Sequence, residues 1–85
     1  MSEALQEAIS QYENLERDAY YSKITKKLNE TDKSFILVYL SSNKHLDKNA
    51  FEYKANRIFI DLENKTKNWK IIMELLSVLN SKFRK

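Results

Sequence analysis

The sequence offers few side chains for acid–base or metal chemistry. His45, the only histidine, lies in the polar stretch SSNKHLDK, and we interpret it as a loop residue rather than a general base. Asp61 and Glu63 are two residues apart, so on a helix they do not share a face. The chain has no cysteine for a disulfide or a thiolate metal site and no glycine for a phosphate-binding loop. We therefore predict a protein that is not an enzyme and uses no metal, other cofactor or small-molecule substrate.

Lysine residues form a charge pattern that suggests a ligand. Over residues 1–22, five carboxylates outnumber one arginine, a balance of −4, whereas the other 63 residues hold 14 bases and seven acids, a balance of +7. Basic patches attract phosphate backbones because binding releases condensed counterions. The candidate nucleic-acid-binding residues form two clusters: Lys23, Lys26 and Lys27, and Lys65, Lys67 and Lys70. Lysines on a helical protein are more often a solvated face, so nucleic-acid binding is the alternative hypothesis.

The elements that must position these side chains are predicted to be helices. The 85 residues include no glycine and no proline, although average usage is about 7% and 5%. Tight hairpin turns and the helix caps that glycine usually forms must therefore be made by asparagine or aspartate, if they form at all. This composition predicts one all-α domain over residues 1–85, with short polar loops.

Helical periodicity predicts a compact antiparallel bundle of about four helices. Their predicted ranges are 3–29, 32–43, 47–63 and 67–83. Ser2 is the predicted N-cap of the first helix and Asp47 that of the third, whereas Thr31 or Asp32 starts the second.

Two segments complicate this prediction. The apolar stripe of the first helix moves by about a quarter turn after Ala19, to Tyr20 and Ile24, which predicts a bend or break near residues 18–21. The apolar run FILVYL fits a buried strand as well as a buried helix. An α+β alternative, with strands near 34–41 and 56–62, therefore stays open.

The last predicted helix, NWKIIMELLSVLNSKF, is apolar around more than half of its circumference. Its inward stripe comprises Trp69, Ile72, Met73, Leu76, Leu79 and Phe83. A second stripe, formed by Ile71, Leu75 and Val78, points nearly the opposite way and leaves a narrow polar strip: Lys70, Glu74, Ser77, Ser81 and Arg84. Either the helix lies at the centre of the fold or a partner covers the second stripe. We favour the partner, because exposed apolar patches often mark contact sites.

The surplus of apolar side chains leads to the functional prediction. Tyr21, Tyr53 and Ile60 also fall off the main stripes of their helices, so with Ile71, Leu75 and Val78 they are the candidate partner-binding residues. The sequence predicts a small cytoplasmic adaptor, inhibitor, immunity-type or antitoxin-type regulator that binds another protein or forms a homo-oligomer. We expect no membrane span, because the longest apolar run has six residues and a span needs about 20. A membrane surface is the third and least favoured partner, because the polar strip of the last helix carries only two bases, Lys70 and Arg84. The first ten residues also lack the pattern of a signal peptide.

Overall fold

Polar side chains decide where the helices begin. This computed structural model describes residues 2–83, except the side chains of residues 82 and 83. At the start of the first helix, Ser2 Oγ accepts the Leu5 N–H at 3.2 Å. Asp47 Oδ1 accepts the Ala50 N–H at 2.8 Å. Both predicted N-caps are thus confirmed. The described residues form these helices: α1 (Glu3–Glu16), α2 (Tyr21–Thr25), α3 (Glu30–Ser42), α4 (Lys48–Arg57), α5 (Phe59–Lys65) and α6 (Trp69–Phe83).

The all-α prediction is confirmed, and the α+β alternative is wrong. Over residues 2–83 the structure contains no strand, and the segments 34–41 and 56–62 lie in α3 and around the α4–α5 junction. The start of α3 differs from the prediction, because Asn29 caps this helix instead of Thr31 or Asp32. Asn29 and Asp32 form a reciprocal capping box, so α3 begins two residues before the predicted start.

The predicted break in the first helix is confirmed. Residues 17–20 are not helical, and Asp18 Oδ1 accepts the N–H groups of Tyr20 at 2.8 Å and Tyr21 at 3.1 Å. These bonds satisfy the free donors at the start of α2 without glycine or proline. The helix after the break is shorter than predicted, since α2 ends at Thr25.

The third predicted helix is divided at Ile58. The Ile58 N–H donates to the Ala55 carbonyl at 3.2 Å in a tight turn, and the Ile58 carbonyl then accepts the Leu62 N–H at 3.0 Å as α5 begins. The prediction of one continuous helix over 47–63 is therefore wrong. Both helices that flank this turn, α4 and α5, contact α6.

Helix α6 lies at the centre of the fold, in contact with α1, α3, α4 and α5. Ile72, Leu76 and Leu79 of its inward stripe are buried, while Trp69 and Met73 are partly buried against the core. The described members of the polar strip are exposed, as predicted: Lys70, Glu74, Ser77 and Ser81. The side chain of Phe83 and all of Arg84 lie outside the described residues.

The second stripe of α6 is covered by the same chain. Met73 and Leu76 border α4 beside Phe51 and Ala55, so Leu75 falls on the other flank, where α1 and α3 are the remaining neighbours. Leu75 is 0% exposed. Its expected position on a partner-facing surface is therefore corrected to the core. Val78 and Ile71 are partly buried against that core.

Replacing Leu75 with alanine tests this position. Because the side chain is fully enclosed, Leu75→Ala should lower the free energy of unfolding by about 2–5 kcal/mol. Val78→Ala, in the same stripe but partly exposed, should cost about 1 kcal/mol. Urea denaturation measures both values. If both variants lose an equally small free energy of unfolding and an oligomer dissociates, Leu75 lies at an interface between subunits instead of in the core.

Candidate functional site

The structure distributes the predicted partner-binding residues over three places. Tyr53 on α4 and Ile60 on α5 are exposed to 66% and 63%. Ile71 and Val78 lie on the partly buried flank of α6 that faces away from α4. Tyr21, on α2, is partly buried. Of the six predicted partner-binding residues, Tyr53 and Ile60 are therefore the two that are exposed, on the neighbouring helices α4 and α5.

Tyr20 and Tyr21 exchange the positions expected from periodicity. Tyr20, predicted to continue the inward stripe, is 62% exposed, whereas Tyr21 packs partly against the core. Their rings meet edge to face, with the centroids 5.0 Å apart. Residues 17–20 are not helical, so the helical periodicity of α1 cannot be continued into α2. A prediction that assumes one continuous helix therefore assigns the wrong tyrosine to the surface.

An open apolar groove lies beside Tyr53, which we call the α4–α5 groove. It encloses about 600 Å³. The lining residues are Leu46, Ala50, Tyr53, Lys54, Arg57 and Ile58. Sequence periodicity missed this groove, because Leu46 and Ile58 both read as buried positions. Within the lining, positions 50, 53, 54, 57 and 58 have the spacing of one helix face, and Leu46 extends that face before α4 begins.

The rim of the α4–α5 groove is cationic. The guanidinium carbon of Arg57 lies 5.8 Å from the centre of the Tyr53 ring, within range for a cation–π interaction. Lys54 Nζ donates to Asn43 Oδ1 at 2.8 Å, and this bond fixes the lysine at the edge of the groove. Helix α4 carries three bases, Lys48, Lys54 and Arg57, against the single carboxylate of Glu52. The groove therefore combines apolar contact with a positive edge.

The six predicted nucleic-acid-binding lysines are all exposed, and the structure brings their two clusters together. Asn68, at the start of α6, donates through Nδ2 to the Lys27 carbonyl at 3.2 Å. The two clusters therefore meet where the segment after α2 touches the turn before α6. We call this the lysine surface; its members are Lys23, Lys26, Lys27, Lys65, Lys67 and Lys70.

A buried polar network holds the lysine surface in place. Asn68 Nδ2 also donates to Asp32 Oδ2 at 2.9 Å, and Asp32 is only 3% exposed. The same Asp32 oxygen accepts the Asn29 N–H at 3.4 Å, two residues beyond Lys27 in the chain. One carboxylate thus fixes the segment after α2, the start of α3 and the start of α6.

The remaining ionisable groups give little sign of reactive chemistry. His45 is exposed in the turn between α3 and α4, and the described residues contain no cluster of ligands suited to a metal ion. Burial, followed by the Glu16, Glu30 and Asp32 carboxylates, raises the pKa of Tyr12 to about 12. Burial also raises the pKa of Tyr39, whose hydroxyl donates to the Phe51 carbonyl at 3.1 Å. Both tyrosines stay neutral at pH 7.

Replacing Asn68 with alanine should weaken the junction between α3 and α6. Because the buried carboxylate of Asp32 loses its side-chain donor, the free energy of unfolding should fall by about 1–3 kcal/mol. Asn64→Ala, the same change at an exposed position on α5, should stay within about 0.5 kcal/mol of the wild type. Urea denaturation compares the two variants, and equal values would show that the Asn68–Asp32 bond contributes nothing.

Comparisons of the chain with protein-family models, with curated proteins and with solved structures find no match. Among residues 2–83, no helix is both long enough and apolar enough to cross a membrane. The α4–α5 groove and the lysine surface are therefore the features from which a function is inferred.

Proposed function

We propose that the protein is a small, cytoplasmic, non-enzymatic protein-binding module that docks a partner through the α4–α5 groove. The observation that carries this proposal is the 66% exposure of Tyr53 in the lining of an open apolar groove. Ile60, 63% exposed on α5, adds a second apolar side chain outside that lining. An adaptor, an inhibitor, or an immunity-type or antitoxin-type regulator would work in this way. The docking surface moves from α6 to α4 and α5, because Leu75 is enclosed by its own chain.

The residue types around the groove suit a binding hot spot. Tyrosine and arginine are enriched among the residues that dominate binding energy at protein interfaces. Tyr53 and Arg57 are already paired across one turn of α4, so docking would order few additional rotamers. Leu46, Ala50 and Ile58 supply the apolar floor against which a partner side chain could pack. A short amphipathic helix is the simplest occupant of such a groove.

The charge on the rim indicates the chemistry of the partner. Lys54 and Arg57 flank the apolar floor, so the complementary segment carries carboxylates beside its apolar side chains. The acidic helix of this chain, α1, is a poor source of that segment. Its apolar residues Ala8, Tyr12 and Leu15 are buried, and its carboxylates Glu7 and Glu16 already pair with lysines. A different protein therefore fits the groove better than α1 of a second copy.

Photo-crosslinking from the groove tests the proposal. A photoreactive amino acid at Tyr53 should trap one partner protein in the host cell, while the same amino acid at Val38 should not. Val38 is a matched control, since it is 58% exposed on α3. With the trapped protein purified, Tyr53→Ala should weaken the Kd about 30-fold, equivalent to about 2 kcal/mol at a hot spot. Val38→Ala should change the Kd less than about threefold.

Two results would contradict docking in the groove. Equal trapping from positions 53 and 38 would mean that Tyr53 marks no specific site. Crosslinks that join only two copies of this chain would show that the groove binds a second copy and not a different protein. Circular dichroism of each variant confirms that the helices are retained, as expected for substitutions at exposed positions.

A further inference from the structure

We propose a second binding function, in which the lysine surface binds the phosphate backbone of nucleic acid without reading the base sequence. The carrying observation is the Asn68–Lys27 hydrogen bond of 3.2 Å, which places two lysine clusters from distant parts of the chain side by side. The two contributing segments, residues 19–29 and 64–70, hold six lysines and no carboxylate. Such a local excess of positive charge attracts a polyanion.

The charges of the lysine surface are not neutralised by the rest of the described chain. Two other lysines show the contrast: Lys33 Nζ lies 3.5 Å from Glu16 Oε2, and Lys44 Nζ lies 3.4 Å from Glu7 Oε2. Within residues 2–83, none of the six surface lysines forms an ion pair with a carboxylate. The nearest acidic side chain of the network, Asp32, is buried and occupied by Asn68 and Asn29. The acidic helix α1 thus pairs with α3 and leaves the lysine surface available to a ligand.

Hydrogen bonds fix the backbone that carries the lysine clusters. The Lys27 N–H donates to the Ile24 carbonyl and the Leu28 N–H to the Thr25 carbonyl, each at 3.1 Å. On the other side, the Asn68 N–H donates to Thr66 Oγ1 at 3.1 Å. The segments that carry the two clusters are therefore already held together, so little backbone conformational freedom is lost when a ligand binds.

The residue types indicate contact with phosphate rather than with bases. All six cations are lysines, which act as point charges, whereas bidentate recognition of a guanine edge uses arginine. Trp69 lies nearby, but its ring packs edge to face on Phe59, with the centroids 4.8 Å apart, and Lys70 Nζ lies 5.4 Å from its centre. The indole ring is thus engaged within the protein. Sequence-independent binding follows from this arrangement.

A nucleic acid fits the lysine surface better than an anionic membrane does. Helices that lie on a bilayer insert a broad apolar face below their cations. Here Ile24 and Leu28, the aliphatic residues between the lysines, pack against the core of the protein. Tyr20 is the only large exposed apolar side chain in these two segments. The lysine surface can therefore neutralise phosphates but offers little for insertion among lipids.

Fluorescence anisotropy with a labelled single-stranded 20-mer of mixed sequence tests this proposal between 50 and 200 mM KCl. The logarithm of the association constant should fall linearly with the logarithm of the salt concentration. A footprint of four to six phosphates gives a slope of about −3 to −4, because each contact on a single strand contributes about −0.7. A second 20-mer of unrelated sequence should bind with the same affinity within about threefold.

A matched pair of double variants locates the site. Lys27→Gln with Lys67→Gln removes two charges from the lysine surface and should make the slope shallower by about 1.4. Lys33→Gln with Lys44→Gln removes the same charge from lysines that are paired with α1 and should leave the slope unchanged. Tyr53→Ala should also leave it unchanged, which separates this proposal from docking in the α4–α5 groove.

Three results would overturn the proposal. One is the absence of binding to the 20-mer at 50 mM KCl. Another is an equal change of the salt slope in the two double variants, which would show that the overall net charge, and not the lysine surface, attracts the oligonucleotide. The third is binding to phosphatidylglycerol vesicles without binding to either oligonucleotide, which would assign the lysine surface to a membrane.

Discussion

The burial of α6 on both of its apolar flanks is the constraint on which the rest of the structure depends. A helix that is apolar around more than half of its circumference cannot be covered by a single neighbour. Here α4 lies beside Met73 and Leu76, and α5 beside Trp69 and Ile72. Helices α1 and α3 are the remaining neighbours for the flank that contains Leu75. Each of α1, α3, α4 and α5 therefore contacts this central helix, whereas α2 packs against α1.

Polar side chains hold the turns before α2, α3 and α4 in a chain that has neither glycine nor proline, whereas the turn at Ile58 is held by backbone bonds alone. Asp18 accepts backbone donors at the start of α2, Asn29 and Asp32 cap α3, and Asp47 caps α4. Such local bonds offer the backbone an alternative to continuing the helix. They also explain how much the sequence could predict. Caps and the change of stripe near residues 18–21 are local patterns, so the all-α class, two N-caps and the first break were correctly predicted.

Properties that depend on the packing of distant elements were not predictable in the same way. Periodicity identified Leu75 as part of a second stripe, but it could not show whether α1 and α3 or another protein covers that stripe. Ala50, Tyr53 and Ile58 recur at helical spacing, but periodicity could not show that this face of α4 stays open as a groove. The lysine clusters were visible in the sequence, yet only the Asn68–Lys27 contact, 41 residues apart, unites them. The two proposed surfaces therefore became visible only in the tertiary structure, because the residue types that form them are common on protein surfaces.

Hydrogen exchange at two protein concentrations tests most directly whether the chain encloses α6 by itself. If it does, the backbone amides around Ile72, Leu76 and Leu79 exchange only through global unfolding, and they are the most protected in the protein. The account predicts that their protection is the same at about 100 µM as after roughly 100-fold dilution, because α1, α3, α4 and α5 belong to the same molecule. A loss of protection in α6 on dilution would contradict the account and show that another copy covers the helix.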